Sequence, residues 1–430
     1  MTSRSSAVVT ADSPRPVPTP APLAALARRL LLRRLAALRE GELVLIENGC
    51  HHRFGTRSAE FPVSVEIEVH DPRFYTTVAL DSDIGAGESY MAGDWTVSDL
   101  TLLTRLLLRN RAVLDRLDGG TARLLAPLRR LLHWLNRNSR DGSRRNIAAH
   151  YDLGNDFFAL WLDETLMYSS AVFERADMTL AEASVAKLER ICRRLDLKPG
   201  DRVLEIGTGW GGFALHAAGR HGCHVTTVTL SRQQYDLARS RVRAAGLERR
   251  VEVRLQDYRD VTGSFDKLVS IEMIEAVGHR YFDTYFRQCS RLLKPDGRML
   301  LQAITIADQR YEQALRSVDF IQRHIFPGGC LPSVTAICNA MTRATDLRVE
   351  HLEDIGVDYA RTLREWRHNF HARLDQVRSL GYPESFIRMW EFYLCYCEGG
   401  FEERAIGTVQ MLLTKPRARP VREPGLLAKR

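Results

Sequence analysis

The sequence lacks a long hydrophobic run. It has 430 residues, 45% of them apolar, yet no stretch of about 18 apolar residues is free of charge, and no transmembrane helix is expected. The longest apolar run is about Met299–Ala307. The first segment, Met1–Pro22, contains charged residues and no apolar core, which predicts that it is not a signal peptide.

Paired cysteines and lysine are also scarce. The eight cysteines include no Cys-x-x-Cys pair, which favours reduced thiols in a cytoplasm and predicts neither a disulfide framework nor a metal site. Six lysines stand beside 55 arginines in a net charge of +8. A GC-rich genome alone would explain this bias. Arginine also suits bidentate contact with phosphate, so the partner could be nucleic acid or an anionic lipid surface. The net charge alone does not distinguish these two kinds of partner.

Composition divides the chain into five parts. We predict disorder over 1–22, a small α+β lipid-associated domain over 23–115, a helical linker over 116–145, one α/β domain over 146–416 and a disordered tail over 417–430. In the first domain, Leu23–Arg39 is typical of a basic helix, and Val63–Val69 alternates as a half-buried antiparallel strand does.

A basic amphipathic helix is predicted within the linker, over Thr121–Arg137. Its leucines fall in one arc of the helix, and the opposite side carries Arg123, Arg129, Arg130, His133 and Arg137. The leucine face would pack on the protein if this is a structural linker. It would contact a membrane surface if the helix is peripheral.

Strand and helix patterns alternate from Asn146 onward. The predicted strands are Arg202–Glu205, Val225–Thr229, Val251–Leu255, Lys267–Ile271 and Met299–Thr305, and the predicted helices include Lys187–Leu195, Phe213–Arg220 and Arg232–Ala245. This spacing indicates a doubly wound, mostly parallel, Rossmann-like sheet.

A glycine turn, Gly207–Gly212, follows the first of these strands. Read as G-x-G-x-x-G it fits a dinucleotide site, but such a site needs an acidic residue about 20 positions later, and Val225–Thr229 has none. Glu205 instead precedes the turn, where a carboxylate would face the amino group of S-adenosylmethionine. The turn therefore favours S-adenosylmethionine over NAD or a purely structural role. On the loop after Val251–Leu255, Asp257 and Tyr258 would reach the adenine, unless Asp257 is only a turn residue.

Several motifs occur in the order of one known family. They are Asn146–Phe173, the glycine turn, Thr229–Gln234, Gln256–Asp260, Glu272–Gly278, Phe326–Ser333 and Tyr393–Phe401. Together they resemble the cyclopropane-fatty-acyl-phospholipid synthases and the related mycolic acid cyclopropane synthases, from about Asn146 to Pro416.

The resemblance implies a class I methyltransferase domain and a reaction. The enzyme would transfer a methylene unit from S-adenosylmethionine to the cis double bond of unsaturated acyl chains in membrane phospholipids, forming cyclopropane fatty acids. A carbocation would be deprotonated with the help of bound bicarbonate. The implied protein is cytoplasmic, associated with the inner face of the membrane, without a nucleic-acid partner, and a homodimer is allowed.

Motif matching also implies the site residues. Donor binding would involve Tyr168, Ser169, Glu205, Gly207, Gly209, Gly211, Thr229, Leu230, Gln234, Asp257 and Tyr258. The base site would include Glu275, which orients bicarbonate, Tyr359, which donates to it, and Cys397, whose alternative is a buried thiol. Tyr151, Phe157, Phe158, Trp161 and Tyr168 would shield the cation, although core packing explains some of them.

Two residues depart from the family at the expected bicarbonate site. Ser170 stands where its phospholipid members commonly have cysteine, and Gln302 where they commonly have histidine. Glutamine carries no charge, so the anion would be held weakly, or this branch has rebuilt the site around Gln302 and other donors. A methyl-branched or methylene product is therefore an alternative to cyclopropane. From other classes, a nucleic-acid methyltransferase and a non-catalytic lipid-binding protein are alternatives.

Overall fold

The computed structural model describes residues 21–111 and 153–419. The predicted amphipathic helix Thr121–Arg137, the linker 116–145, Tyr151, and nearly all of the two predicted disordered ends lie outside these residues. No helix among the described residues is long and apolar enough to cross a membrane.

The amino-terminal part contains a four-stranded sheet and three helices. In chain order these are α1 (Ala21–Leu35), β1 (Gly41–Glu47), β2 (Cys50–Thr56), β3 (Ser64–Val69), α2 (Arg73–Ala92), β4 (Trp95–Val97) and α3 (Leu100–Arg109). The strand order is β2-β1-β3-β4. Val65 and Ile67 of β3 are buried, while Glu66 and Glu68 are exposed, so the predicted half-buried strand is confirmed. It is antiparallel to β4, as predicted, but parallel to β1, because the chain crosses over between β2 and β3.

A seven-stranded sheet forms the second part. Its strands are β5 (Arg202–Ile206), β6 (His224–Thr229), β7 (Val251–Leu255), β8 (Phe265–Ile271), β9 (Leu293–Ile306), β10 (Arg348–Asp354) and β11 (Ile406–Thr414). The order is β10-β11-β9-β8-β5-β6-β7. Strands β9, β8, β5, β6 and β7 are mutually parallel, and β11 runs antiparallel to both neighbours. The predicted doubly wound α/β sheet is confirmed.

Ten helices accompany this sheet within the described residues. They are α4 (Asn155–Ala159), α5 (Leu180–Leu195), α6 (Gly212–His221), α7 (Arg232–Ala244), α8 (Phe282–Leu292), α9 (Asp308–Ala314), α10 (Val334–Ala344), α11 (Gly356–Ala372), α12 (Leu374–Ser379) and α13 (Glu384–Glu402). Parallel strands need such crossover helices, and their carboxyl ends then open at one edge of the sheet, where ligands bind in folds of this kind.

Local sequence explains where α5 begins and which face it buries. Thr179 accepts a hydrogen bond from the backbone of Glu182, and the Glu182 side chain accepts one from the Thr179 backbone, so the two form a capping box. Ala183, Ile191 and Leu195 make an apolar stripe that is fully buried.

Helix α13 joins the two parts of the chain. The Tyr90 hydroxyl of α2 donates to Glu391, 2.7 Å away, and Arg105 of α3 donates to Glu403, 2.8 Å away. One buried apolar cluster contains residues of β1, β3, α2, α3, α11 and α13. The amino-terminal sheet is therefore packed against the helices that line the candidate site.

Candidate active site

The glycine turn between β5 and α6 has left-handed backbone conformations. The φ angles are +98° at Gly207, +51° at Gly209 and +87° at Gly211, in a region that non-glycine residues rarely adopt. A Cβ added at Gly209 would meet no heavy atom within 4 Å. The backbone of Gly209 therefore borders open space in which a ligand can approach it closely.

Glu205 lies beside this turn, near the end of β5. Its side chain is buried, and Oε2 has no hydrogen-bond partner. Burial raises its pKa to about 8, against the opposing effects of Thr227 and the Lys187 charge. A buried carboxylate oxygen without a partner is costly unless a ligand supplies a donor, so the site fits the ammonium group of an amino-acid moiety such as that of S-adenosylmethionine.

The end of β6 forms a second wall. The Thr229 hydroxyl donates to Gln234 Oε1 at 2.8 Å and accepts from the Ser231 N–H at 3.1 Å. Thr229 and Gln234 are buried and Leu230 is half-buried. These hydrogen bonds fix the strand end at the start of α7, as a ligand-binding edge requires.

The loop after β7 places Asp257 and Tyr258 next to each other. Both carboxylate oxygens of Asp257 accept from the Arg259 guanidinium, at 2.8 and 2.6 Å. Asp257 also accepts from the Arg259 N–H and caps a short 3₁₀ turn. A turn role for Asp257 is thus present in the structure. Contact of either residue with adenine stays a prediction.

Tyr168 and Ser169 lie on the loop between α4 and α5. The Tyr168 and Tyr393 hydroxyls are 2.9 Å apart, and the Ser169 hydroxyl accepts from Lys187 Nζ at 2.7 Å. The Lys187 side chain is fully buried. Burial lowers its pKa to about 8, while Glu272, Asp163 and Glu205 act in the opposite direction.

A polar cluster converges on one carboxylate, that of Glu272. Its Oε1 accepts from the Ser170 N–H at 2.9 Å and from Gln302 Nε2 at 2.8 Å, and its Oε2 accepts from the Tyr359 hydroxyl at 2.7 Å. Three of the residues that the sequence assigned to the bicarbonate site therefore lie together, and the group they bind in the structure is a side chain of the protein.

The neighbouring strand fixes the orientation of Gln302. Gln302 and Gln410 are partners across β9 and β11, and Gln410 Nε2 donates to Gln302 Oε1 at 3.0 Å. With its oxygen occupied in this way, the amide of Gln302 presents its NH₂ group to Glu272. A neutral side chain thereby becomes a directed donor to an anion.

Glu272 also has a strained backbone. Its φ of +49° is left-handed, a conformation that costs a non-glycine residue on the order of 1–3 kcal/mol and is concentrated at functional sites. Burial raises the pKa of this carboxyl, while Gln302, Ser170, Lys187 and Tyr359 oppose the shift. The motif Glu272–Gly278 predicts a role for Glu275 and none for Glu272.

Glu275 lies next to Glu272 without sharing its partners. Its Oε1 accepts from the Ile304 N–H, while its Oε2 is buried and has no partner. Burial, followed by repulsion from Glu272, raises its pKa to about 8. A role of Glu275 in the chemistry stays a prediction.

Aromatic side chains surround Tyr168. The ring centroids of Phe158, Trp161 and Trp366 each lie 5.4 Å from that of Tyr168. Phe157, Phe158 and Trp161 are completely buried, so part of the predicted shield is core packing. Cys397 of α13 is half-buried, and burial raises the pKa of its thiol. This favours the buried-thiol alternative over a reactive thiolate.

Comparison with known proteins identifies the family. The sequence profile of the mycolic acid cyclopropane synthetase family matches residues 138–411. The chain belongs to this family, which includes the cyclopropane-fatty-acyl-phospholipid synthases. It is a methyltransferase that depends on S-adenosylmethionine and modifies lipids, and the predicted methyltransferase fold and donor are confirmed.

Two curated members of the family match most of the chain. Tuberculostearic acid methyltransferase UfaA1 of Mycobacterium tuberculosis is 43% identical over 77% of this chain and 79% of its own. The cyclopropane-fatty-acyl-phospholipid synthase of Escherichia coli is 37% identical over 81% of this chain and 88% of its own.

A solved structure supports the fold and the donor. The mycolic acid cyclopropane synthase CmaA1, in complex with SAH and CTAB, aligns with a TM-score of 0.60 and 33% identity, over 63% of this chain and 98% of its own. The family is thus shown at the level of sequence, and its architecture at the level of structure.

Proposed function

We propose that the protein transfers the methyl group of S-adenosylmethionine to the cis double bond of an unsaturated acyl chain in a membrane phospholipid. When bound, S-adenosylmethionine supplies an electrophilic methyl group. Glu205 would hold its ammonium group, and Gly207 and Gly209 would let the backbone approach it. The aromatic side chains around Tyr168 would exclude water from the cation that the acyl chain then carries.

Glu272 is our candidate for the proton acceptor. Once the methyl carbon has bonded to one carbon of the double bond, the other carbon is positively charged, and a C–H bond must break so that its electron pair neutralises this charge. The proton needs a base within reach. The observation that carries the proposal is the contact of Glu272 with Ser170, Gln302 and Tyr359, three of the residues assigned to the bicarbonate site from sequence.

The product we favour is a methylene or methyl-branched chain. A methylene group forms when a hydride moves between the two former double-bond carbons and the new methyl then loses a proton. A branched alkene forms when a neighbouring chain carbon loses it. The likeness to an enzyme named a tuberculostearic acid methyltransferase supports this choice. The second support is that the carboxylate of Glu272, which is part of the chain, stands where a diffusible bicarbonate was expected.

Cyclopropane formation with bound bicarbonate is the second candidate. In this case the new methyl loses its proton before any hydride moves, and the freed electron pair closes the ring. The likeness to the Escherichia coli synthase over most of both chains favours it, and Glu275 would then orient the anion.

Glu272→Gly tests the assignment of the base. Glycine suits the left-handed backbone and opens space between the three donors, so this variant should fold while losing turnover by about 10²-fold or more. Added bicarbonate should restore much of the rate. The wild type, in carbonate-depleted buffer, should need none. Full activity of Glu272→Gln, or a wild type that requires bicarbonate, would favour the second candidate.

Mass spectrometry of the fatty acids identifies the product. Enzyme, donor and vesicles of unsaturated phospholipid are incubated, and the acyl chains are analysed before and after mild hydrogenation. Every product gains one CH₂ unit, but a methylene group or alkene takes up hydrogen whereas a ring does not. With a trideuterated methyl donor, a branched alkene keeps all three deuterium atoms, and the other two products keep two.

A further inference from the structure

Four side chains that can bind metal meet where α5 and α6 end. The ligand atoms of Cys192, His216 and His221 all lie within 4.8 Å of one another. The Glu189 Oε2 atom lies 3.1 Å from Nε2 of each histidine. Glu189 and Cys192 are one turn apart on α5, and the two histidines are the fifth and the last residue of α6.

The donor set matches the chemistry of zinc. One thiolate, two imidazoles and a carboxylate are the ligand types that Zn²⁺ accepts in four-coordinate sites. At the usual zinc–nitrogen and zinc–oxygen distances, two ligand atoms of a tetrahedron are about 3.4 Å apart. The 3.1 Å between Glu189 and each histidine is close to this value. Cys192 Sγ lies within 4.8 Å of the ligand atoms of both histidines.

The four side chains differ in their exposure to solvent, as expected for a metal site that is open on one side. Cys192 is completely buried in an apolar cluster with Ile191, Leu195 and Ala217. The exposed fractions of the side chains are 7% at His216, 20% at His221 and 37% at Glu189. Three ligands are therefore shielded from water, and the carboxylate leaves an entry path. A carboxylate that only forms hydrogen bonds with two histidines requires no neighbouring thiol. The position of Cys192 therefore favours a metal site over a cluster of hydrogen bonds.

We propose that Glu189, Cys192, His216 and His221 bind a divalent transition-metal ion, with Zn²⁺ the best match. The ion would be structural. It would fasten the end of α6 to α5, and because α6 begins at the glycine turn, it would hold the helix whose other end borders the donor. The absence of a Cys-x-x-Cys pair predicted no metal site, and this pattern does not detect the cluster because its ligands come from two helices.

Cobalt binding to the full chain tests the site. The purified protein is stripped with a chelator and titrated with Co²⁺, whose bond to a thiolate gives a charge-transfer band in the near ultraviolet. We expect one equivalent to bind with this band, and Zn²⁺ to displace it and raise the Tm, because an ion that binds only the folded state stabilises it. A titration without the thiolate band would overturn the proposal.

Two pairs of variants make the test specific. Cys192→Ser should abolish the band, while Cys289→Ser, at an equally buried cysteine of α8, should keep it. His221→Ala should weaken Co²⁺ binding by more than about 100-fold, whereas His224→Ala, at an exposed histidine of β6, should not. Because His221 is only half-buried, its variant should fold even if Cys192→Ser does not. Unchanged affinity in His221→Ala would refute the site.

Discussion

Glu272 and Glu275 are two buried carboxyl groups only three residues apart. Each opposes ionisation of the other, and Glu272 has the three hydrogen-bond donors that favour its charged form. Glu275, with a pKa of about 8, keeps its proton at neutral pH. Of the two, Glu272 is therefore the better placed to carry a negative charge, because its carboxylate faces Ser170, Gln302 and Tyr359.

Replacing Glu275 should change the dependence of stability on pH. Its pKa is about 8 in the folded protein against 4.5 ordinarily, so its contribution to stability is present at low pH and is lost as pH rises between these values. Relative to Glu275→Gln, the wild-type free energy of unfolding should fall by on the order of 1–3 kcal/mol from about pH 5.5 to about pH 7.5.

Denaturant unfolding at the two pH values measures this difference. Glu312→Gln, at an exposed residue of α9, is the matched control and should follow the wild type. If Glu275 orients bicarbonate, as in the second candidate mechanism, turnover of Glu275→Gln should also be lower by about 10²-fold, with donor binding intact. Parallel pH curves for wild type and Glu275→Gln would mean that Glu275 is ionised in the folded protein.

Gly209→Ala should weaken donor binding. The added methyl group would project into the open space beside the turn, where the methionine part of the donor is expected, and the backbone at φ +51° would be strained. Gly246→Ala is the control, because Gly246 also has a left-handed φ, of +67°, and open space around its Cβ. Calorimetry should show a loss of more than about 10-fold in affinity for Gly209→Ala alone.

The residue types predicted much of the candidate site. The other site residues depend on spatial relations between segments, which the sequence does not reveal. Glu205 and the glycines were found because they adjoin a predicted strand. Lys187 was missed, although it occupies the apolar stripe of α5 with Ala183 and Ile191, a spacing that marks a buried charge. Glu272 was missed because no sequence pattern reveals that a side chain three residues before Glu275 reaches the donors on β9 and α11.

Two helix caps differ in what they adjoin, and this difference can be measured. Thr179 caps α5 and Ser231 caps α7, each accepting from a backbone N–H of its helix. The N–H from which Ser231 accepts belongs to Gln234, whose side chain also accepts from the Thr229 hydroxyl at the end of β6. Replacing either cap with alanine should cost about 1 kcal/mol of stability. Only Ser231→Ala should also weaken donor binding, by a few-fold. Equal donor affinity in both variants would separate the α7 cap from the donor site.

At the level of elements, periodicity located all five parallel strands and the helices α5, α6 and α7, but not α8, which connects β8 to β9. It did not predict β11, which is antiparallel, or its pairing with β9, because pairing depends on residues distant in the chain. The consequence is local: the Gln302 amide is oriented by Gln410 on β11, so its role as a donor to Glu272 could not be read from the segment that contains it.

At the scale of the whole molecule, we expect the predicted amphipathic helix to attract the protein to a lipid surface. The arginines of the predicted amphipathic helix should each add about 1 kcal/mol of attraction to anionic lipid. We expect a fourfold replacement by glutamine to weaken binding to anionic vesicles, and the wild-type advantage to shrink at high salt. The replaced residues are Arg123, Arg129, Arg130 and Arg137.

A second fourfold variant removes the same charge elsewhere. It replaces exposed arginines on or near α6 and α7, namely Arg220, Arg239, Arg243 and Arg249. In vesicle sedimentation at low salt, this control should bind nearly as the wild type does. If both variants lose binding equally, attraction to lipid depends on the net charge of +8 and not on one helix.

The unpartnered carboxyl of Glu205 makes binding of the donor a proton-coupled event. With a pKa of about 8, it is mostly neutral near pH 7, and an arriving ammonium group would favour its charged form. Up to one proton should pass to the buffer for each donor bound. The calorimetric enthalpy should therefore differ between phosphate and Tris, and affinity should increase from about pH 6 to about pH 8. Glu205→Gln should remove both effects, because the proton that is released to the buffer comes from this one buried carboxyl group.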